Sequence, residues 1–517
     1  FAFVRSTALP LVVTVLFTCP AHHSSAATLP PYEAKVAAAS NEATLMMKQL
    51  VLPEGFHAEL FAAEPFLANP VAFTVDEQGR FFVAETFRLH AGVTDIRGKD
   101  DWLDEDLASL TVNDRLAMMK RHLEDGIGSY GIHHDRLKLI EDTDHDGRAD
   151  RSTVFAEGFN GLLEGLGAGV VARNGEVWYT ALPDLWLLRD TDNDGHAEYR
   201  RSLHTGFGVR IGFLGHDLHG ICFGPDGKLY FSIGDRGARV ETPEGIVGRT
   251  DCGAVYRCNP DGSELEVFAF GLRNPQELAF DQYGNLFTGD NNSDGGDKAR
   301  WVYLVEGGDS GWRIGYQFIE SPNARGPWNS EKLWHPQWNG QAAFLLPPIA
   351  NLGDGPSGLT YYPGTGMPDR YQDHFFLADF RGGKGSKIHS FGLKPKGATF
   401  EIADHEDFLT EGLPTDVEFG LDGGLYYTDW VAGWDMTGKG RIYRLVDPSA
   451  AAKPIVAETK RLISGGVADA SRSRCITLLS HPDKRVRQQA QFKLASMGRQ
   501  AIRALAKCAL DNPDQIA

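Results

Sequence analysis

Apolar and polar positions alternate in short runs along this chain, and pairs of runs are joined by turns that contain Asp and Gly. One such unit spans Pro70–Val83 around Asp76 and Gly79, and others turn at Asp226-Gly227, at Asp281 and Gly284, and at Asp422-Gly423. Weaker copies lie at Gly167–Thr180 and Ser357–Asp379. Each unit predicts a β-hairpin whose Asp/Gly turn supplies the positive φ of a tight connection and whose alternate residues pack on one face. About six hairpins, each with room for two further strands, predict an all-β fold, a six-bladed β-propeller over 51–447. An irregular β-sandwich is the competing arrangement. In a propeller, chemistry belongs where the blades converge.

Two regions break the rhythm. Residues 87–134 form an insertion with a helical stretch at about Leu110–Leu123, expected to cover one face. From about Lys460 the spacing of Leu478, Leu479, Val486, Ala490, Leu494 and Ala495, broken at Pro482-Asp483, predicts a HEAT-like helical repeat over 460–517. Such repeats bury a core only in about three copies, so the native chain is expected to continue. At the other end Arg5, the apolar run Ala8–Phe17 and the small residues Ser25, Ala26 and Ala27 predict a signal peptide over 1–27, followed by a linker over 28–50. The run is short of the roughly twenty residues of a membrane helix. A secreted or periplasmic protein without a stable membrane span is expected.

Composition narrows the function classes. The chain has 517 residues, too many for one compact core, with 59 Gly suiting many tight turns. Its 51 Lys+Arg against 69 Asp+Glu give a net charge of −18, which opposes binding to a phosphate backbone, so no nucleic acid partner is expected. Cys252 and Cys258 flank one predicted strand and would stand roughly 20 Å apart at 3.3 Å per residue, too far for a disulfide with each other. No Cys-x-x-Cys-His sequence occurs, so no haem site is expected in this chain.

The acidic loops carry the sharpest candidate chemistry. Asp142, Asp144, Asp146 and Asp150 in one loop, and Asp190, Asp192, Asp194 and Glu198 in another, share acids at alternating positions with Gly147 or Gly195 at the turn. That spacing wraps oxygens around a hard cation, and Ca²⁺ is the expected ion. An Asp/Gly-rich surface turn is the alternative. A third cluster, Asp290, Asp294 and Asp297, follows a repeat strand and fits either a metal or a hydrogen-bonded loop. His216 precedes an inner strand, where its imidazole could take a hydroxyl proton or simply be hydrogen-bonded in the loop. Arg273 and Asn274 hold the same place one blade on, fit to bind anionic or carbonyl groups or to cap the strand.

His216, then Gly224–Tyr230 with Gly234-Asp235, then Gly271–Gln276, then Gly307–Trp312, are similar in order and approximate spacing to soluble quinoprotein glucose dehydrogenases and aldose sugar dehydrogenases. With the paired acidic loops, Arg300–Asp309 and Gly438–Arg444, the chain more closely resembles the planctomycete-type secreted "membrane-bound dehydrogenase-like" proteins, which join such a propeller to HEAT repeats and a c-type cytochrome. The resemblance implies oxidation of a sugar or other alcohol, with His216 as general base and hydride passing to pyrroloquinoline quinone. It implies cofactor contacts at Arg273, Asn274 and Arg381, the last standing where those enzymes carry a quinone-binding lysine. A c-type cytochrome would accept the electrons. The family's arginine pair is replaced by Leu413 and Thr415, and its calcium-ligand loop reads Asp290-Asn291-Asn292. Two further readings share the architecture: a non-catalytic, calcium-stabilised propeller that binds glycans or proteins, and a calcium-dependent lactonase.

Overall fold

The computed structural model describes residues 32–334, 336–338, 340–342, 345–512 and 516. The expected signal peptide lies outside them. Residues 34–517 form one compact unit. No helix among the described residues is long and apolar enough to cross a membrane.

The protein is a β-propeller of six four-stranded antiparallel blades. The inner strands, from blade 1 to blade 6, are Pro70–Val75, Gly167–Arg173, Leu218–Phe223, Pro275–Phe280, Pro356–Tyr361 and Pro414–Phe419. The ring closes by exchange between the chain's two ends. His57–Ala63, the first strand in sequence, is the outermost strand of blade 6 and pairs antiparallel with Arg441–Val446, His57 opposite Val446 and Leu60 opposite Tyr443. Closure therefore leaves no blade open between the beginning and end of the ring.

The hairpin turns form for the reason the sequence suggests. Asp76 Oδ1 accepts from the amides of Gln78 and Arg80, and Gly79 takes φ +81°. Asp281 repeats this with the amides of Tyr283 and Asn285, and Gly284 takes φ +85°. The aspartate ties its own turn, a local bond that needs no tertiary partner. Between blades the strands pack through aromatic side chains, for example Phe287 of blade 4 edge-on to Phe375 of blade 5 at 5.1 Å between ring centres.

A second repeat was not legible as such. In blades 1, 4, 5 and 6 an acid at the end of the second strand stands opposite the proline that opens the inner strand: Glu85 opposite Pro70, Asp290 opposite Pro275, Asp379 opposite Pro356 and Asp429 opposite Pro414. Each carboxylate accepts from amides of the segment entering the inner strand: Ala68 for Glu85, Arg273 and Asn274 for Asp290, Asp354 and Gly355 for Asp379, Leu413 for Asp429. These entry amides have no strand partner, and a buried donor left unpaired costs about 1–3 kcal/mol. In blades 2 and 3 the equivalent positions are Ala181 and Ile233.

The inner strands all run in one sense, which gives the propeller two distinct ends. Where they begin, the insertion covers the ring. Its helix Val112–Leu123 starts with a capping box between Thr111 and Asp114, and Met118 and Met119 pack with Ile96, Trp102, Ile211 and Phe213. Where they end, helix Lys484–Ser496 lies across the axis. Lys484 Nζ donates to the Phe280 carbonyl, Arg485 Nη1 to those of Phe419 and Gly420, and Gln488 Nε2 to Phe223 and Gly224. Asp483 caps this helix through the Arg485 amide and also accepts from Thr365 Oγ1. The C-terminal helices Arg472–Leu478, Lys484–Ser496 and Arg499–Asp511 share a core of Cys475, Leu478, Val486, Ala490, Leu494 and Ala501.

Candidate functional site

The segment entering blade 3 is held from above before it delivers its side chains. Asp106, in helix Leu103–Ala108 of the insertion, accepts from the amides of Ile211 at 2.6 Å and Gly212 at 3.2 Å. Four residues after Gly212 comes His216, 5% exposed, with its amide bonded to the Phe213 carbonyl. Its Nδ1 lies 2.7 Å from Asp235 Oδ1, and Trp312 Nε1 donates to Asp235 Oδ2 at 2.8 Å. A carboxylate only accepts, so Nδ1 carries a proton, and in the neutral ring Nε2, which bonds to no described residue, is the nitrogen with the lone pair. Burial alone would raise Asp235, but His216, Arg273 and the Trp312 indole outweigh it and hold the carboxyl below its ordinary range. An aspartate held behind an imidazole in this way is an arrangement that a general base can use.

Arg273 and Asn274 meet His216 here. The Asp235 amide donates to the Arg273 carbonyl at 2.8 Å, and Asn274 Nδ2 donates to Gly215 O at 3.2 Å. Phe213 contacts both the His216 ring, at 5.7 Å between centres, and the Arg273 guanidinium, at 5.7 Å. Gly234 makes the approach possible: a Cβ there would stand 2.7 Å from His216 Cβ and 2.8 Å from Asn274 Oδ1. Arg273 Nε donates to Gln317 and its Nη2 to Asp294, while Nη1 and Asn274 Oδ1 are buried without a partner among the described residues. A neighbouring imidazole, His219, is pushed down to about 4 by burial, is bonded to Gly215 O and stays neutral within the inner strand.

The other expected residues fall elsewhere. Arg381 sits on blade 5, bound to Asp379 through Nε and Nη2 and to Asp354 through Nη1. Leu413 gives its amide to Asp429, and Thr415 Oγ1 bonds Pro70 O and Thr428, so both serve the blade. Asp290 is the blade 4 member of the proline-facing acids and pairs with Arg300. Asp294 binds Arg273, and Asp297 accepts from the Ser293 amide and from Trp328 Nε1. These three acids order a loop and do not converge on one point. By contrast, one carboxylate oxygen from each of Asp190, Asp192, Asp194 and Glu198 lies within 4.8 Å of the others, as do those of Asp142, Asp144 and Asp146. Asp150 turns instead to the amide and hydroxyl of Thr143. Both loops join a third strand to an outermost strand, at the end of the ring away from His216. Cys252 and Cys258 are free, their thiols pushed up to about 12 by burial.

Sequence reasoning did not give Asp235 or Trp312 a role. The available signal is the missing acid of blade 3: Ile233 stands opposite Leu218 where four other blades have the acid, and the blade's aspartate comes two residues later. Displaced from the entry amides, that carboxylate is available to the histidine.

Fold and site together define a six-bladed β-propeller with an aspartate-held histidine at the end where the inner strands begin. The chain belongs to the family described as "Domain of unknown function (DUF7133)", whose profile matches residues 42–434. Quinoprotein glucose dehydrogenase B of Acinetobacter calcoaceticus is 29% identical over 124 residues, 19% of this chain and 26% of that protein, so the match spans about a quarter of the relative's length. A solved structure described as an oxidoreductase (glucose dehydrogenase) of Thermus thermophilus is 19% identical, with TM-score 0.47, over 76% of this chain and 100% of its own. The PQQ-bound aldose sugar dehydrogenase of Streptomyces coelicolor is 17% identical, with TM-score 0.42, over 77% and 99%.

Proposed function

We propose that this chain is an exported, quinoprotein-like oxidoreductase domain that acts on a hydroxyl of a sugar or other alcohol, with His216 as general base. The observation that carries this reading is the buried Asp235–His216 pair with Nε2 unbonded, beside two polar atoms that lack partners. Those two atoms suit the implied cofactor. Arg273 Nη1 is a donor suited to a quinone carbonyl or carboxylate, and Asn274 Oδ1 an acceptor suited to a hydroxyl. Pyrroloquinoline quinone, when bound, supplies a two-electron acceptor for hydride. His216 Nε2 takes the hydroxyl proton, and ionised Asp235 stabilises the imidazolium that results. Phe213 and the insertion behind it keep water from the pair. The paired acidic loops hold Ca²⁺ in this reading, the helices from Arg472 begin a HEAT-like repeat, residues 1–27 direct export, and a c-type haem domain outside this stretch receives the electrons.

A second reading has its own support. Arg273, Arg300 and Arg381 each already face a carboxylate, which favours a non-catalytic propeller that binds glycans. The two separate in one experiment. The purified protein is supplied with Ca²⁺ and quinone and assayed on an aldose panel with a dye acceptor, with His216→Ala alongside. The oxidoreductase reading expects turnover that falls about 10²–10⁴-fold in the variant while quinone still titrates. No turnover and no quinone titration, with equal glycan-array binding by both proteins, would establish the binder instead.

A further inference from the structure

Blade 5 carries a cluster that the chemistry near His216 does not use. His389 lies on its third strand, Lys387–Lys396, and His405 and Asp407 on its outermost strand, Thr399–Thr410, with His389 in register with Asp407. His389 Nδ1 faces His405 Nε2 at 3.0 Å and Asp407 Oδ1 at 3.5 Å, and one ligand atom from each residue lies within 4.8 Å of the others. Histidine nitrogens bound to one zinc-like ion at about 2.0–2.1 Å stand roughly 3.0–3.4 Å apart. The 3.0 Å spacing falls in that range and the 3.5 Å spacing just beyond it, close to the edges of a coordination shell.

The surroundings orient each donor. Lys387 Nζ holds Asp407 Oδ2 at 2.6 Å, which leaves Oδ1 toward the histidines. His389 is buried, and its Nε2, without a hydrogen-bond partner among the described residues, faces Asp379 Oδ2 at 3.5 Å. A cation on Nδ1 fixes the His389 proton on Nε2, aimed at that carboxylate, the usual support of a metal-bound histidine. His405 and Asp407 are exposed, so the remaining coordination positions open to water.

We propose that His389, His405 and Asp407 bind a borderline divalent transition-metal ion of the zinc class, clipping the two outer strands of blade 5. Two imidazoles and one carboxylate select such an ion over Ca²⁺, whose ligands are oxygens, so this site is chemically separate from the acidic loops.

The test uses the full chain stripped by a chelator and then kept in excess Ca²⁺ to occupy the acidic loops. Zn²⁺ alone is titrated by calorimetry, and Co²⁺ is followed by its visible absorption. The expected result is one Zn²⁺ per chain, an affinity at least about tenfold weaker in His405→Ala and in Asp407→Asn, and loss of the Co²⁺ band in His405→Ala. Both substitutions are at exposed positions, and their folding is checked by an unchanged far-ultraviolet spectrum. No stoichiometric Zn²⁺ binding by the parent chain, or equal binding by parent and both folded variants, overturns the proposal.

Discussion

The two ends of the propeller axis bury carboxylates in opposite ways. Where the inner strands begin, Asp290 pairs with Arg300, Glu85 with Arg136, Asp379 with Arg381 and Asp235 with His216. Where they end, a cavity of about 300 Å³ holds Glu277 from the inner strand of blade 4 and Asp416 and Glu418 from that of blade 6, none of them in a salt bridge among the described residues. Burial first, and the Asp416 charge second, push Glu418 up to about 8, and burial raises Asp416 and Glu277 as well. Lys484, on the helix that closes this end, is pushed down to about 8, chiefly by burial. Burial raises carboxyls at both ends, Asp290 and Glu85 included, but at the first end the partners of Asp235 and Asp379 outweigh it and hold those two below the ordinary range. At the other end Asp416 and Glu418 have amides but no salt bridge among the described residues, and burial prevails. The first end alone sets an imidazole against an acid held in its charged form, His216 on Asp235, which is a physical reason to place the proposed chemistry there.

The largest expected effect comes from breaking a pair at the first end. Arg300→Met leaves Asp290 buried with its entry amides but without its cation, and removing one partner of a buried ion pair costs about 3–5 kcal/mol. Because the stranded acid binds a proton more tightly when folded, the loss is smaller at pH 5 than at pH 8. Urea unfolding midpoints of the variant and parent at the two pH values measure both. A variant within about 1 kcal/mol of the parent at pH 8 would mean that the amides alone suffice and that the cation is incidental.

At the second end the same kind of substitution should act with the opposite sign. Glu418 has a folded-state pKa raised above its ordinary 4.5 to about 8. Its contribution is fully present below about 4.5 and is lost as pH rises through about 8. Glu418→Gln, neutral throughout, should match the parent at pH 5 and exceed it at pH 8 by on the order of 1–3 kcal/mol, less than the full shift implies because the side chain keeps some surface toward the cavity. Parallel stability curves for parent and variant between pH 5 and pH 8 would show that the cavity is wet enough to leave Glu418 ordinary.

The same contrast explains what the sequence disclosed. The hairpins were legible because Asp76 or Asp281 ties its own turn within four residues, so the pattern is local. Closure was not, because His57–Ala63 finds its partner at Arg441–Val446, almost the whole ring away, and nothing in either segment names the other. Blade 4 hides its last strand for another reason: it is only Ala350–Asn351, separated from Arg300–Leu304 by a long excursion. His216, Arg273 and Asn274 were singled out from adjacent motifs, and the structure brings them together. Asp235 and Trp312 were not assigned, since their role depends on blade 3 lacking the acid that blades 1, 4, 5 and 6 share. Asp290 was misleading for the converse reason, since a buried structural acid and a metal ligand look alike until the proline opposite it is known.

The smallest effect tests whether the acidic loops belong to the stabilising end of this comparison. They lie at the outer rim, exposed, and in each the first aspartate already accepts from its own turn: Asp142 Oδ2 from the Gly147 amide and Asp190 Oδ2 from the Gly195 amide. A loop preformed by its own hydrogen bonds gives up little order when an ion enters. Ca²⁺ then stabilises only by mass action, about 2.7 kcal/mol at a hundredfold excess over its dissociation constant, and shifts Tm by a few degrees in a chain of this size. Asp192→Asn, which removes charge from the four-carboxylate loop without touching the Gly195 bond, should abolish about half of the Ca²⁺-dependent rise and leave the chelated Tm unchanged. A fall in the chelated Tm as large as the loss in Ca²⁺ would show that Asp192 supports the turn itself and that the cation adds nothing.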